Sequence, residues 1–378
     1  MKPAYTIVLY TPQELNHASN IQTGLFELEK LKVLNTKIVL SITGRRGRLV
    51  VGDDEVIRTH QANPKVSFYE LIIHASGARI SFACDLYDHA NQFSEYAFNH
   101  CDFVFKRSYE TKYVNKLPKA FQSKLYKLGL CFGVRSKFKT QSMSTFYKGL
   151  ILSNLKLNIK PDRLLFKRLV HTYKAQLKHW NFILTARNLE RFEDYTKPSN
   201  ATVFFQTRCF TNENDIDVLQ IHQQRYHIIK LLRQAFPYQF QGGFIKSPIA
   251  MEKYYDAISD VPAEPELYLN ALKQAKIVIY TRGLANSTAW KMAEYLSQGK
   301  VIIAEKLTTD LPVPLVHGQE LLYFETDEEL LAAITLVLED DVLADMLSKK
   351  ARAYFETHVH PVKNVKRILE LMLSKPLF

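Results

Sequence analysis

Two residues three apart, Lys291 and Glu294, open a short helical stretch that follows Ser287 and Thr288. Three-residue spacing puts the ammonium and the carboxylate on one helix face, while Trp290, Ala293 and Leu296 form the apolar stripe. A cation beside a phosphate, with a carboxylate able to accept two sugar hydroxyls, suits a ligand such as a nucleoside diphosphate. The same spacing is also common on solvated helices. Ser287 and Thr288 can each cap the helix, and its free N–H groups then form an anion site. No Walker loop and no G-x-G-x-x-G is present.

The elements that position these residues are legible around them. Ile277–Tyr280 and Val301–Ala304 are short apolar, β-branched runs, as expected of parallel strands buried on both faces, and Gly299 stops the intervening helix. Upstream, ATVFFQT (201–207), a long helix around 217–236 and QFQGGF (239–244) continue the same alternation. In the first part of the chain TIVLY (6–10), KIVLSI (37–42), SFYELIIH (67–74), RISFACDLY (79–87) and DFVFKRS (102–108) read as strands of a parallel sheet covered on both sides. The fold class is therefore α/β, with two Rossmann-like domains facing across a cleft. The expected boundaries are 1–135 for the first domain, 136–198 for a basic helical connector and 199–350 for the second domain. The C-terminal helices, 351–378, are expected to pack back on the first.

At 378 residues, with 47% hydrophobic and 23% charged residues, the composition is ordinary for a globular protein. No run approaches 18 apolar residues and the start lacks a signal-peptide pattern, so the expected location is the cytoplasm. Cys84, Cys101, Cys131 and Cys209 lack C-x-x-C spacing and read as reduced core residues. The formal charge is +12, much of it local: 136–200 holds thirteen Lys or Arg against four acids. Basic and apolar residues alternate at helical spacing there, so the segment either lies on an anionic membrane surface or packs its leucines on the protein. No helix-turn-helix, zinc-knuckle or RNP-like pattern supports a nucleic-acid partner.

Asp215-Ile216-Asp217 is a D-x-D, a metal-binding signature elsewhere, but here it opens a long helix, where carboxylates favour the N-terminus; no metal is expected. Arg45-Arg46-Gly47-Arg48 reads as a basic turn, and His222 and His227 as ordinary polar helix positions. Asp85, Asp88 and His89 follow a strand end, where one of them can serve as a general base or the group can simply cap a turn.

The stretch from Phe204 to His360 resembles the donor-binding half of GT-B glycosyltransferases, particularly the bacterial group 1-type, family 4-like enzymes of surface-polysaccharide assembly. The marks are FQTR (205–208), QQRYHIIKLLRQAF (223–236), QGG (241–243), TRGLANSTAWKMAEYLSQGKVIIAE (281–305), HGQELLYFETDEEL (317–330) and YFETHVHP (354–361). In the first half the resemblance rests on IQTGLFEL (21–28), DLYDHA (85–90) and FVFKRSYETKYV (103–114). It implies that Arg208, Lys291 and the Ser287 and Thr288 amides meet the diphosphate of a nucleotide-sugar donor. Glu294 would hold the ribose, Tyr280 and Gly283 line the pocket, and Glu320 lie near the nucleotide. Asn286 stands where the family's E-x7-E signature has its first glutamate. The implied activity is metal-independent sugar transfer to a glycan or lipid-linked acceptor at the inner face of a membrane, without a cofactor. A degenerate relative that binds a nucleotide or glycan without turnover is the alternative.

Overall fold

Runs of β-branched and aromatic residues separated by amphipathic helices build two α/β units in the computed structural model, which describes residues 3–11, 13–41, 45–139, 147, 163–195, 201–374 and 377. One unit comprises Met1–Leu189, Asp310–Pro312 and His360–Phe378; the other comprises Glu190–Thr309 and Val313–Val359.

The first unit holds β1 (Tyr5–Thr11), β2 (Asn35–Leu40), β3 (Arg46–Val51), β4 (Val56–Ala62), β5 (Val66–Ile73), β6 (Arg79–Asp85), β7 (Gln92–Ser94), β8 (Phe103–Lys106) and β9 (Leu125–Lys127). Its main sheet has the order β2-β1-β5-β6-β8-β9. All neighbours are parallel except β5, which runs antiparallel to both β1 and β6, so the expected all-parallel sheet is mixed. A tight connection explains this: β5 and β6 are joined by a short turn at 74–78, too short for the crossover that parallel strands need.

One face packs Ile7, Leu9, Leu71 and Phe82 against the helix Leu15–Lys30 and the C-terminal helix Pro361–Leu373. A Cβ on Gly24 would lie 2.3 Å from the Pro361 carbonyl oxygen, so only glycine lets the two helices meet there. The other face is covered by the antiparallel sheet β4-β3-β7, through Leu49, Val51 and Phe93, and by the helix Glu95–His100, through Ala97 and Phe98. The expected basic turn is in fact the entry to β3: the Arg45 guanidinium lies 4.1 Å from the Phe68 ring centre and that of Arg48 lies 4.7 Å from the Tyr87 ring centre.

Of the basic segment, 140–146, 148–162 and 196–198 lie outside the described residues. Arg163–Thr185 is a helix on which Lys167, Lys174 and Lys178 are exposed, as are Val170 and Leu184.

The second unit holds β10 (Val203–Thr207), β11 (Phe240–Phe244), β12 (Ile277–Tyr280), β13 (Val301–Glu305) and β14 (Leu322–Phe324), all parallel, in the order β11-β10-β12-β13-β14. Alternate residues face opposite sides, and both sides are dry. Val203, Phe205, Ile277 and Ile303 join Ile228, Ile229 and Leu232 of the helix Ile216–Ala235 and Leu330 and Ile334 of the helix Asp327–Glu339. On the opposite side Phe204 meets Tyr268 of the helix Pro265–Gln274. This explains why the strands read as continuous apolar runs. The four cysteines are free and buried.

Candidate functional site

The strand order of the second unit reverses between β10 and β12, the switch point at which open α/β sheets receive ligands beyond their strand ends. β10 and β12 pair only through Val203 with Ile277 and Phe204 with Val278, whereas β10 pairs with β11 over five residues. The two strands therefore part toward their carboxyl ends. Arg225, from the Ile216–Ala235 helix, spans the gap: Nη1 donates to the Arg208 carbonyl at 2.9 Å and Nη2 to the Arg282 carbonyl at 3.2 Å. Its Nε is buried without a partner, and burial pulls its pKa down to about 10, with the Arg208 charge adding to the effect.

Beside it lies Lys291. The residue is partly exposed along its stem, but its Nζ is enclosed and has no hydrogen-bond partner; the Tyr268 ring centre is 5.8 Å away. Burial, then the Arg225 and Arg208 charges, bring its pKa down to about 7, against a smaller opposing pull from Glu294. Arg208 is exposed, and its guanidinium and that of Arg225 lie 5.4 and 5.1 Å from the Phe210 ring centre. His222 fixes that ring by accepting the Phe210 N–H at Nε2 (2.7 Å). Two buried N–H groups without acceptors, Lys291 Nζ and Arg225 Nε, beside the exposed Arg208 charge give the place the character of an anion site.

The connecting loop is braced rather than capped. Asp217 pairs with the Arg282 guanidinium and accepts the Ala285 N–H at 2.7 Å; Glu305 accepts the Arg282 N–H at 2.6 Å; the Tyr280 hydroxyl accepts the Ala289 N–H at 2.8 Å. Tyr280 is thus buried as a loop anchor. A Cβ on Gly283 would come 2.8 Å from the Ser287 carbonyl oxygen, so the tight turn requires glycine. Ala285 and Asn286 both take positive φ, 53° and 57°, which costs energy outside glycine.

Ser287 and Thr288 are buried and do not cap the helix, a correction to the expectation. The helix runs Lys291–Ser297 with Trp290 at its start and no side-chain cap, and the Ser287 N–H is already donated to Leu284 O.

Of the remaining donor-side candidates, Glu294 lies one turn from Lys291 on the same helix. Glu294 is 6% exposed and near enough to Lys291 to favour its charged form. Asn286 is exposed, and its carbonyl accepts the Thr308 hydroxyl. Glu320 accepts the Val316 N–H and so closes its own loop. Asp215 accepts the Asp217 N–H as the helix cap. A separate cavity of about 310 Å³ opens beyond β13 and β14, among Gln224, Glu305, Phe324 and Asp327, and does not include the three cations.

In the first unit the expected base Asp85 is unavailable. It is fully buried, pairs with Lys106 Nζ at 3.1 Å and accepts the Ser94 and Tyr87 N–H groups. Asp88 pairs with Lys65 and, at 2.6 Å, with Arg107; the Arg107 and Lys65 charges outweigh its burial and hold its carboxyl well below the usual range. His89 is exposed and contributes its carbonyl to Lys106. A residue that sequence reading missed completes this group: His17, buried, with Nδ1 3.0 Å from Glu14 Oε2 and Nε2 3.9 Å from Asp88 Oδ1. Arg225 was missed too, although an arginine in register with Ile221, Ile228 and Leu232 on a buried helix stripe is a signal that sequence alone carries.

No family model and no curated protein matches the sequence. Solved structures do. The C-terminal domain of a group 1 family glycosyl transferase, LpcC, from Francisella tularensis matches at 11% identity and TM-score 0.32, over 45% of this chain and 92% of that one. A putative UDP-N-acetylglucosamine 2-epimerase from Listeria monocytogenes matches at 14% and 0.42, over 97% and 95%. HepE from Anabaena, solved with UDP-glucose, matches at 13% and 0.35, over 72% and 79%.

Proposed function

We propose that this chain is a glycosyltransferase that moves a sugar from a nucleotide-sugar donor to a glycan or lipid-linked acceptor in surface-polysaccharide assembly. The observation that carries the reading is the enclosed, acceptorless Lys291 Nζ within reach of the Arg225 and Arg208 charges at the switch point. A donor's diphosphate supplies the missing acceptors. As the bond to the anomeric carbon breaks, charge grows on the departing nucleotide, and Arg208, Arg225 and Lys291 stabilise it there, the work a divalent ion does in other designs. The sequence resemblance over 204–360 supports the same assignment. Glu294 meets the ribose hydroxyls in this scheme. If configuration inverts, Asp88, His89 and His17 are the candidate bases.

Release of free UDP or GDP from a panel of nucleotide-sugars tests the reading. Turnover is expected in the native chain and its loss in Arg208→Ala and Lys291→Met at unchanged folding. Asn286 and the enclosure of Glu294 favour one second reading, a nucleotide- or glycan-binding protein without turnover. Tight nucleotide binding with no release from any donor would establish it.

Among the described residues no helix is long and apolar enough to cross a membrane. The exposed Lys167, Lys174 and Lys178, flanked by Val170 and Leu184, support a cytoplasmic protein that rests on the anionic inner face of a membrane. Flotation with anionic but not neutral liposomes is the expected outcome; indifference to lipid charge removes this part.

A further inference from the structure

The groups that face Lys291 come from four elements, and of the three charged ones two are of the wrong sign to hold a proton on it. Arg225 approaches from the Ile216–Ala235 helix and Arg208 from the end of β10; Tyr268 offers only a ring from the Pro265–Gln274 helix; Glu294, one turn along its own helix, is the single favourable charge. No oxygen accepts a hydrogen bond from Nζ, which is closed off from solvent. An ammonium so placed lacks water and hydrogen-bond acceptors and has only the Glu294 charge to oppose two guanidinium groups, which favours the neutral amine. A bound diphosphate reverses the balance by bringing two negative charges and several acceptors.

We propose that ligand binding at this site is coupled to proton uptake by Lys291, which is an amine when the site is empty and an ammonium when a diphosphate fills it. The inference rests on the reading of the site as a nucleotide-sugar site and adds its regulation. The proton comes from solvent onto the Nζ lone pair, and no other bond changes. The depressed pKa of about 7 agrees with the geometry. The sign follows from linkage: binding raises the pKa, so affinity is highest below pH 7 and falls as pH rises above it, approaching tenfold per unit until the bound form also titrates.

Titration calorimetry of the full chain with UDP-glucose and GDP-mannose, at pH 8 in buffers of different ionisation enthalpy, counts the protons. These diphosphate diesters lack the terminal phosphate ionisation near pH 6 that would confuse the count. About 0.9 proton taken up per ligand is expected at pH 8 and about 0.1 at pH 6, from a free pKa near 7. Lys291→Arg keeps its charge at all these pH values and is expected to bind with no uptake. Binding without buffer-dependent heat, and with flat affinity from about pH 6 to 9, overturns the coupling while leaving the proposed function in place. Undiminished uptake in Lys291→Met overturns the assignment to this residue. If neither nucleotide-sugar binds at any pH, both proposals fall.

Discussion

Two buried lysines, one in each unit, have opposite surroundings. Lys106 is fully buried, yet its ammonium donates to Asp85 Oδ1, to His89 O at 3.2 Å and to Gln92 O at 2.7 Å. Lys291 has an enclosed Nζ and no acceptor, with two guanidinium groups for neighbours. Burial lowers the pKa of both, but the protein completes the first and leaves the second open. The lesson is that burial alone does not mark a functional charge. What separates Lys291 is an enclosed ammonium with all its hydrogen bonds unmade, whereas Lys300 donates to Lys273 O and Ala275 O.

The largest effect that tests this contrast belongs to the completed lysine. Asp85→Ala strands the Lys106 charge and is expected to cost about 3–5 kcal/mol in urea unfolding; a variant with native stability and no turnover would return Asp85 to catalysis. Next, Lys291→Met is expected to lower kcat/KM by roughly 10- to 100-fold, the equivalent of about 1.5–3 kcal/mol of charge-assisted hydrogen bonding. The same change should raise the melting temperature of the ligand-free protein. Its folded pKa lies below the unfolded value, so the penalty it removes is fully present below pH 7 and fades as pH climbs toward the unfolded pKa of lysine. A melting temperature lowered equally at pH 6 and pH 10 would make Lys291 structural, like Lys106.

Smaller is Arg225→Lys, which keeps a charge but cannot bridge two carbonyls; about 1–3 kcal/mol of stability should go, with nucleotide affinity falling alongside. Smallest is Ala285→Gly, where relief of the positive φ is expected to add about 0.5–1 kcal/mol to stability. Unchanged stability there would mean that the loop carries no strain to relieve.

How much of this could be read beforehand varied by element. β10 to β14 were visible because strands buried on both faces leave unbroken apolar runs. The direction of β5 was not, since side-chain alternation is the same in a strand run either way; only the length of the 74–78 turn hinted at it. Ser287 and Thr288 looked like caps by residue type. They lost that role because Asp217, Glu305 and Tyr280, which lie 68, 23 and 9 residues from the loop groups they bond, hold the loop in a shape that delays the helix to Lys291. Asp85 and Asp88 looked equivalent; β8 supplied Lys106 to one and Arg107 followed it to the other.

Arg208 came from the family resemblance; from residue order alone came the α/β alternation, the pairing of Lys291 with Glu294 on one helix face, and the free, apolar setting of the cysteines. These depend on local periodicity and composition, which the chain carries with it. The tertiary structure alone decided that Arg225 closes the gap between parting strands, that His17 rests between two carboxylates, and which of two buried lysines lacks acceptors. Such properties are sums over neighbours distant in sequence, and hydrogen-bond satisfaction has no value until those neighbours are in place.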